Sequence, residues 1–121
     1  MAGKIFAKEE ADKLFGPVLY SVAMGINEFN SLMAMTEKHV MFRVENGKLF
    51  ILGDGRKVLF PKGASVTSEE VFSWADKSMV AELLNLCKEN EVFVENREIV
   101  LSVTYGSNTL EQTILCPPFC P

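Results

Sequence analysis

The least ordinary chemistry in this chain lies in Cys116-Pro117-Pro118-Phe119-Cys120-Pro121. Two Cys-Pro pairs offer thiolates to a haem or a metal, or two sulfurs to an internal redox pair. Polyproline geometry, at about 3.1 Å per residue, would hold the two α-carbons about 12 Å apart. A disulfide needs them within about 7 Å, so only a sharp turn or a cis proline would join them. A zinc site is short of ligands: Cys87, Cys116, Cys120 and His39 are all the thiols and imidazoles present, and Cys87 belongs to an apolar helical pattern. Two such segments meeting across a dimer would supply four cysteines. The reading adopted is that the prolines end the last strand and protect an edge, while the cysteines pack as small apolar residues. Cys116 and Cys120 stand as the alternative metal, haem or redox pair, and no cofactor is expected.

The remaining candidates are weaker. His39 is the only histidine, at a strand start beside Arg43 on the polar face, and no Ser, Cys or carboxylate lies at a spacing that nominates a catalytic partner. It reads as an exposed strand residue. Glu95-Asn96-Arg97-Glu98 reads as charge on a solvated turn. Gly53-Asp54-Gly55 lacks the downstream glycine and helix of a nucleotide loop, and no Walker-type sequence is present. Trp74 and Phe72 stand without interleaved arginines, as core residues do rather than base-stacking platforms. No catalytic motif emerges, so the chain reads as non-enzymatic.

A length of 121 residues, 48% of them hydrophobic and 23% charged, fits one globular domain spanning 1–121. The net charge of −4 excludes a surface that is basic all over but allows a locally basic face. No run is apolar enough to cross a bilayer, and Met1 to Phe6 leads into Lys8-Glu9-Glu10 rather than a signal-peptide core. A cytoplasmic protein without a membrane partner is expected. Three scattered cysteines do not form a disulfide scaffold.

The elements that must position these residues fall into two similar halves, about 8–60 and 67–116. From Lys8 to Ile26, Ala11, Leu14, Phe15, Val18, Leu19, Val22, Ala23 and Ile26 follow a helical seam, interrupted at Gly16-Pro17. Phe29, Leu32, Met33 and Met35 extend it. Val40, Phe42 and Val44 alternate in a strand that ends at Asn46-Gly47, a strong hairpin signal, and two further strands follow. Leu49, Phe50, Ile51 and Leu52 are apolar on both faces, so their strand is either central and covered or turned toward another subunit. Thr67 to Glu70 has the form of a capping box, and Val71 to Ala75 is either the start of a long helix or a strand before a helix over 77–88. Met79, Val80, Leu83 and Leu84 share one helical face. Val92 and Val94, then Ile99 to Tyr105, then Leu110 to Cys116 alternate as three strands, with turns at Asn96-Arg97 and at Gly106-Ser107-Asn108. The expected class is α+β, two helix-plus-three-strand units sharing an antiparallel sheet with the helices on one face.

This pattern resembles a domain of the sliding DNA clamps, the processivity factors of replicative polymerases. The residues that carry the resemblance are Phe60-Pro61 to Thr67, Ser78 to Glu95, and Ile99 to Ser102: a leucine-rich helix, an acidic break, a short strand, a turn and a second strand. The resemblance implies a non-enzymatic homo-oligomeric ring, with helices toward double-stranded DNA and sheets outside making the subunit contacts. The DNA contact would be sequence-independent, and a polymerase or another protein would be a further partner. On that reading Lys8, Lys13, Lys77 and Lys88 are the DNA-facing candidates. Leu49, Ile51 and Leu115 are the interface candidates. The alternatives are a homo-oligomeric binding module with another partner, and a thiol-based metal, haem or redox protein built on Cys116 and Cys120.

Overall fold

The computed structural model describes residues 2–98 and 100–121. The order of elements is β1 (Lys4–Ala7), α1 (Lys8–Phe15), β2 (Val18–Gly25), α2 (Ile26–Met33), β3 (His39–Glu45), β4 (Lys48–Leu52), a 3-10 turn (Asp54–Arg56), β5 (Val58–Phe60), β6 (Phe72–Asp76), α3 (Lys77–Asn85), β7 (Glu91–Arg97), β8 (Leu101–Tyr105), β9 (Asn108–Glu111) and β10 (Ile114–Cys116). The class is α+β. The strands form two five-stranded antiparallel sheets rather than one shared layer: sheet 1 in the order β1-β9-β8-β7-β2, and sheet 2 in the order β10-β6-β3-β4-β5.

Two units of strand, helix and three strands make up most of the chain, β2 to β5 and β6 to β9. Each unit lends its first strand to the other unit's sheet: β2 pairs with β7, and β6 pairs with β3. The register repeats over most of the pairing, apart from a shift after Ile51 in β4–β5 and a bulge at the start of β2. The last residue of β6, Asp76, faces the first of β3, His39, as the last of β2, Gly25, faces the first of β7, Glu91. Met41 faces Leu52 as Phe93 faces Thr104, and Ile51 faces Phe60 as Val103 faces Leu110.

The main departure from the expected elements is residues 18–25. Their apolar spacing fits a helix, yet they form a strand. Gly16 turns the chain at φ 83°, Pro17 has no N–H to donate, and the β-branched and aromatic side chains of Val18, Tyr20 and Val22 suit a pleated surface. Pairing with β7 then supplies the backbone partners that a helix would have supplied internally. The capping-box residues start no helix either. Thr67 N–H donates to the Glu70 carboxylate at 2.8 Å within a turn, and the segment that follows enters β6, buried on both faces. The helix starts at Lys77, with Asp76 at its N-cap position. Asn46 and Gly47, at φ 51° and 75°, make the expected hairpin turn.

One core lies between the sheets and helices α2 and α3, where Phe29, Leu32, Met33, Met79, Val80 and Leu83 meet the inward faces of both sheets. The Phe29 and Phe42 rings stack at 6.2 Å. A second cluster lies on the outer face of sheet 2, where Met41, Leu52, Phe72, Trp74 and Cys116 are covered by the 61–71 segment and by residues 117–121. The helices therefore occupy two sides: α2 and α3 close the core, whereas α1 lies on the outer face of sheet 1, with Phe15 edge-on to Phe6 at 5.4 Å.

Removing the stacked core ring should be costly. Phe42→Ala should lower the stability to urea by about 3–5 kcal/mol without changing the slope of the transition. Tyr20→Ala, at a position 67% exposed, should change stability by less than about 0.5 kcal/mol.

Candidate assembly and ligand-facing surfaces

The four lysines nominated for DNA are not on one face. Lys8 and Lys13 belong to α1 on the outer side of sheet 1. Lys77 opens α3, and Lys88 follows its end. The two pairs are separated because residues 18–25 form an edge strand and leave α1 outside the helical layer. Lys77 is also engaged, its Nζ donating to the Thr36 carbonyl at 2.7 Å. Helices α2 and α3 lie side by side, with a groove of about 160 Å³ between them lined by Asn30, Met33, Lys77, Ala81, Leu84 and Asn85. Their exposed residues include Asn27, Glu28, Ser31, Ser78 and Glu82. This face is polar and carries carboxylates, not a concentration of positive charge.

Of the interface candidates, Leu49 and Ile51 are 3% and 0% exposed and belong to the main core. They are not surface residues. Their strand is apolar on both sides because sheet 2 is covered on both sides, by the core within and by the 61–71 segment without. Leu115, on the edge strand β10, is 51% exposed.

Cys116 and Cys120 form a disulfide with α-carbons 4.5 Å apart. This corrects the expectation that both pack as free apolar residues. The segment turns back instead of extending, with the Phe119 N–H donating to the Leu115 carbonyl at 2.9 Å. Cys116 is fully buried. The Phe119 carbonyl accepts a hydrogen bond from the Trp74 indole at 2.8 Å, and Arg56 donates to the carbonyls of Cys116, Thr67 and Glu70 at 3.0, 2.9 and 2.9 Å. Arg56 thus binds the C-terminal segment and the 61–71 segment to sheet 2, and its guanidinium lies over the Phe72 ring at 5.3 Å. Among the described residues no cluster of three or more His, Cys, Asp or Glu is arranged for a metal.

His39 is half-buried, not exposed. Its ring meets Trp74 edge-on at 5.1 Å, and its nitrogens lie 3.4 Å from Asp54 and 3.9 Å from Asp76. Asp54, from the glycine-flanked turn, accepts the N–H groups of Glu37, Lys38 and His39. Desolvation raises its pKa, but these donors and the neighbouring imidazole outweigh it and hold the carboxyl below its usual value of 3.8. Asp76 accepts the Ala2 N–H at 2.8 Å. The cluster joins the start of β3, the 3-10 turn and the end of β6, and the Thr36 hydroxyl beside it accepts the Asp54 N–H and donates to the His39 carbonyl.

Sequence reasoning missed a buried polar network. Glu95 and Arg97 belong to strand β7, not to a solvated turn, and are 6% and 3% exposed. The turn lies beyond them, where Arg97 N–H donates to the Val100 carbonyl at 2.8 Å. Arg97 Nε donates to Ser102 at 2.9 Å and lies 3.0 Å from Glu111. Its Nη1 reaches Asp12 of α1 at 2.8 Å and also bonds the Gly16 carbonyl. Ser102 donates to Glu111, and Thr104 donates to Glu95. Burial pushes the Glu111 pKa above its usual 4.5, with Ser102 and Arg97 offsetting part of the rise. The Arg97 hydrogen bond pulls Asp12 below its usual 3.8. The legible signal was period-two polarity: Glu95, Arg97, Ser102, Thr104, Thr109 and Glu111 all fall on one face of sheet 1. That face needs a polar cover, and α1 supplies Asp12.

Comparison with protein-family models, curated proteins and solved structures finds no match to this chain.

Arg97→Met should cost about 3–5 kcal/mol, because it leaves the Glu111 carboxylate buried without its cation. The double variant Arg97→Met, Glu111→Leu should recover most of that loss in denaturant titrations. Of the three shifted carboxyls, Asp54 and Glu111 act on opposite limbs of the pH profile. Asp54 has a lowered folded pKa, so its contribution is present above pH 3.8 and lost as pH falls below it. Glu111 has a raised folded pKa, so stability declines as pH climbs from 4.5 and the carboxyl ionises in the fold. Asp54→Asn should flatten the acid limb and Glu111→Gln the upper one, read as thermal midpoints against pH.

Proposed function

We propose that this chain is a non-enzymatic, clamp-like scaffold that acts as a homo-oligomer assembled through sheet edges. One observation carries the reading: two strand-helix-three-strand units exchange their first strands in identical register, and α2 and α3 lie side by side on one face. A ring built by joining sheet edges would turn that helical face inward, toward double-stranded DNA. The support comes from architecture and not from charge, since Glu28 and Glu82 accompany Lys77 on the helices. Any duplex contact is therefore weak and sequence-independent, as suits a ring that slides, and a polymerase or other protein would use it as a platform. A cytoplasmic setting is part of the proposal, and in a reducing compartment Cys116 and Cys120 would stand as a dithiol. Among the described residues no helix is long and apolar enough to cross a membrane.

A second reading is favoured by the carboxylates on the helical face: a homo-oligomeric binding module whose partner is not DNA. Light scattering combined with retention on circular DNA separates the two. The clamp reading expects an oligomer that stays on nicked circular DNA and is lost when the circle is cut. An oligomer with equal retention on both forms, or on neither, supports the second reading. A strict monomer at high concentration contradicts both.

A further inference from the structure

The internal repeat gives each edge strand a counterpart. β6 and β2 are equivalent first strands, and β6 is covered on its outer side by β10, with Ile114 opposite Trp74, Leu115 opposite Ser73 and Cys116 opposite Phe72. β9 is likewise covered by β1. Among the described residues, their counterparts, β2 and β5, have no strand on their outer side. Beside β2 lies a groove of about 320 Å³ whose lining includes Val22, Met24, Leu49 and Phe60. Equivalents of three of its lining residues at the other end of the repeat, Ser73, Val100 and Leu101, line a groove that Leu115 of β10 borders.

β2 is also the edge least protected against pairing. It runs for eight residues without a charge or a proline, whereas β5 has three residues. Soluble proteins usually guard such an edge with lysine, proline, a bulge or a cover. β2 has a bulge only at its start, between Val18 and Tyr20, and its Leu19 and Tyr20 are 52% and 67% exposed.

We infer that β2 pairs antiparallel with β2 of a second copy of this chain, centred on Val22. The register follows from the repeat: Leu115 faces Ser73, the counterpart of Val22, so Val22 faces the partner's Val22 and Ser21 faces the partner's Ala23. An uncharged strand meets itself without like-charge conflict. Glu28 and Lys48 are both exposed on the rim of the same groove. The contact is isologous, and the twofold axis of an antiparallel pair stands normal to the sheet. Both copies therefore keep α2 and α3 on the same side of the joined sheet. This contact rests on the homo-oligomer reading and names its first interface.

The test uses the full chain and two double variants at exposed positions, with circular dichroism and thermal melting confirming the fold of each. Ser21→Lys with Ala23→Lys sets like charges opposite each other at both flanking pairs and should weaken self-association at least tenfold by light scattering. Ser21→Lys with Ala23→Glu sets an ammonium opposite a carboxylate at both pairs and should keep the association, more tightly at low salt than at high. If the wild type associates and the double-lysine variant associates equally well, this interface is wrong while the oligomer reading stands. Equal loss in both double variants overturns the register, and a wild type that is monomeric at every concentration removes the interface and the reading together.

Discussion

The structure depends on a reciprocal exchange. β2 leaves its own unit to pair with β7, and β6 leaves its own to pair with β3. A strand-helix-three-strand unit cannot finish its sheet alone, because its first strand points into the other unit's layer. Neither half is then a small domain with its own stability. Val92 and Val94 from one half, and Val40 and Phe42 from the other, are buried in a single core that both helices close. Long-range pairing of this kind is slow to form, but once formed it ties distant parts of the chain into one cooperative body.

The two outer faces show how one backbone plan takes unlike side chains. Positions equivalent in register carry Met41 and Phe93, Arg43 and Glu95, Phe50 and Ser102, and Leu52 and Thr104. Sheet 2 needs an apolar lid and receives the 61–71 segment and the disulfide-closed end, held by Arg56 and Trp74. Sheet 1 needs a polar lid and receives α1, held by Arg97 and Asp12. A buried ion pair adds little net stability over an apolar replacement, yet breaking it is costly. The Arg97 network is therefore better understood as fixing where α1 docks.

Much of this was legible in residue order. The alternation of Val40, Phe42 and Val44, the Asn46-Gly47 turn, and the helical face of Met79, Val80 and Leu83 each appear where periodicity puts them. The strand over 72–76 was one of two open readings, settled by burial on both faces. Residues 18–25 were not legible, because Val18 and Val22 satisfy helical spacing as well as period-two spacing, and only pairing with β7 decides between them. That one segment moves α1 out of the helical layer and scatters Lys8 and Lys13 away from Lys77 and Lys88. Leu49 and Ile51 show a related limit: a strand apolar on both faces does not say whether its own chain or another covers it. Cys116 and Cys120 pair because the proline segment between them folds back, which polyproline spacing alone does not anticipate.

The central claim is that exchanged first strands make the two halves a single cooperative unit. Native-state amide hydrogen exchange across low denaturant measures this most directly. Protected amides in β2, β3, β6 and β7 should converge on one opening free energy, equal to that of global unfolding. Amides of β3 and β4 opening as a group well before those of β7 and β8 would contradict it, because the halves would then be separable.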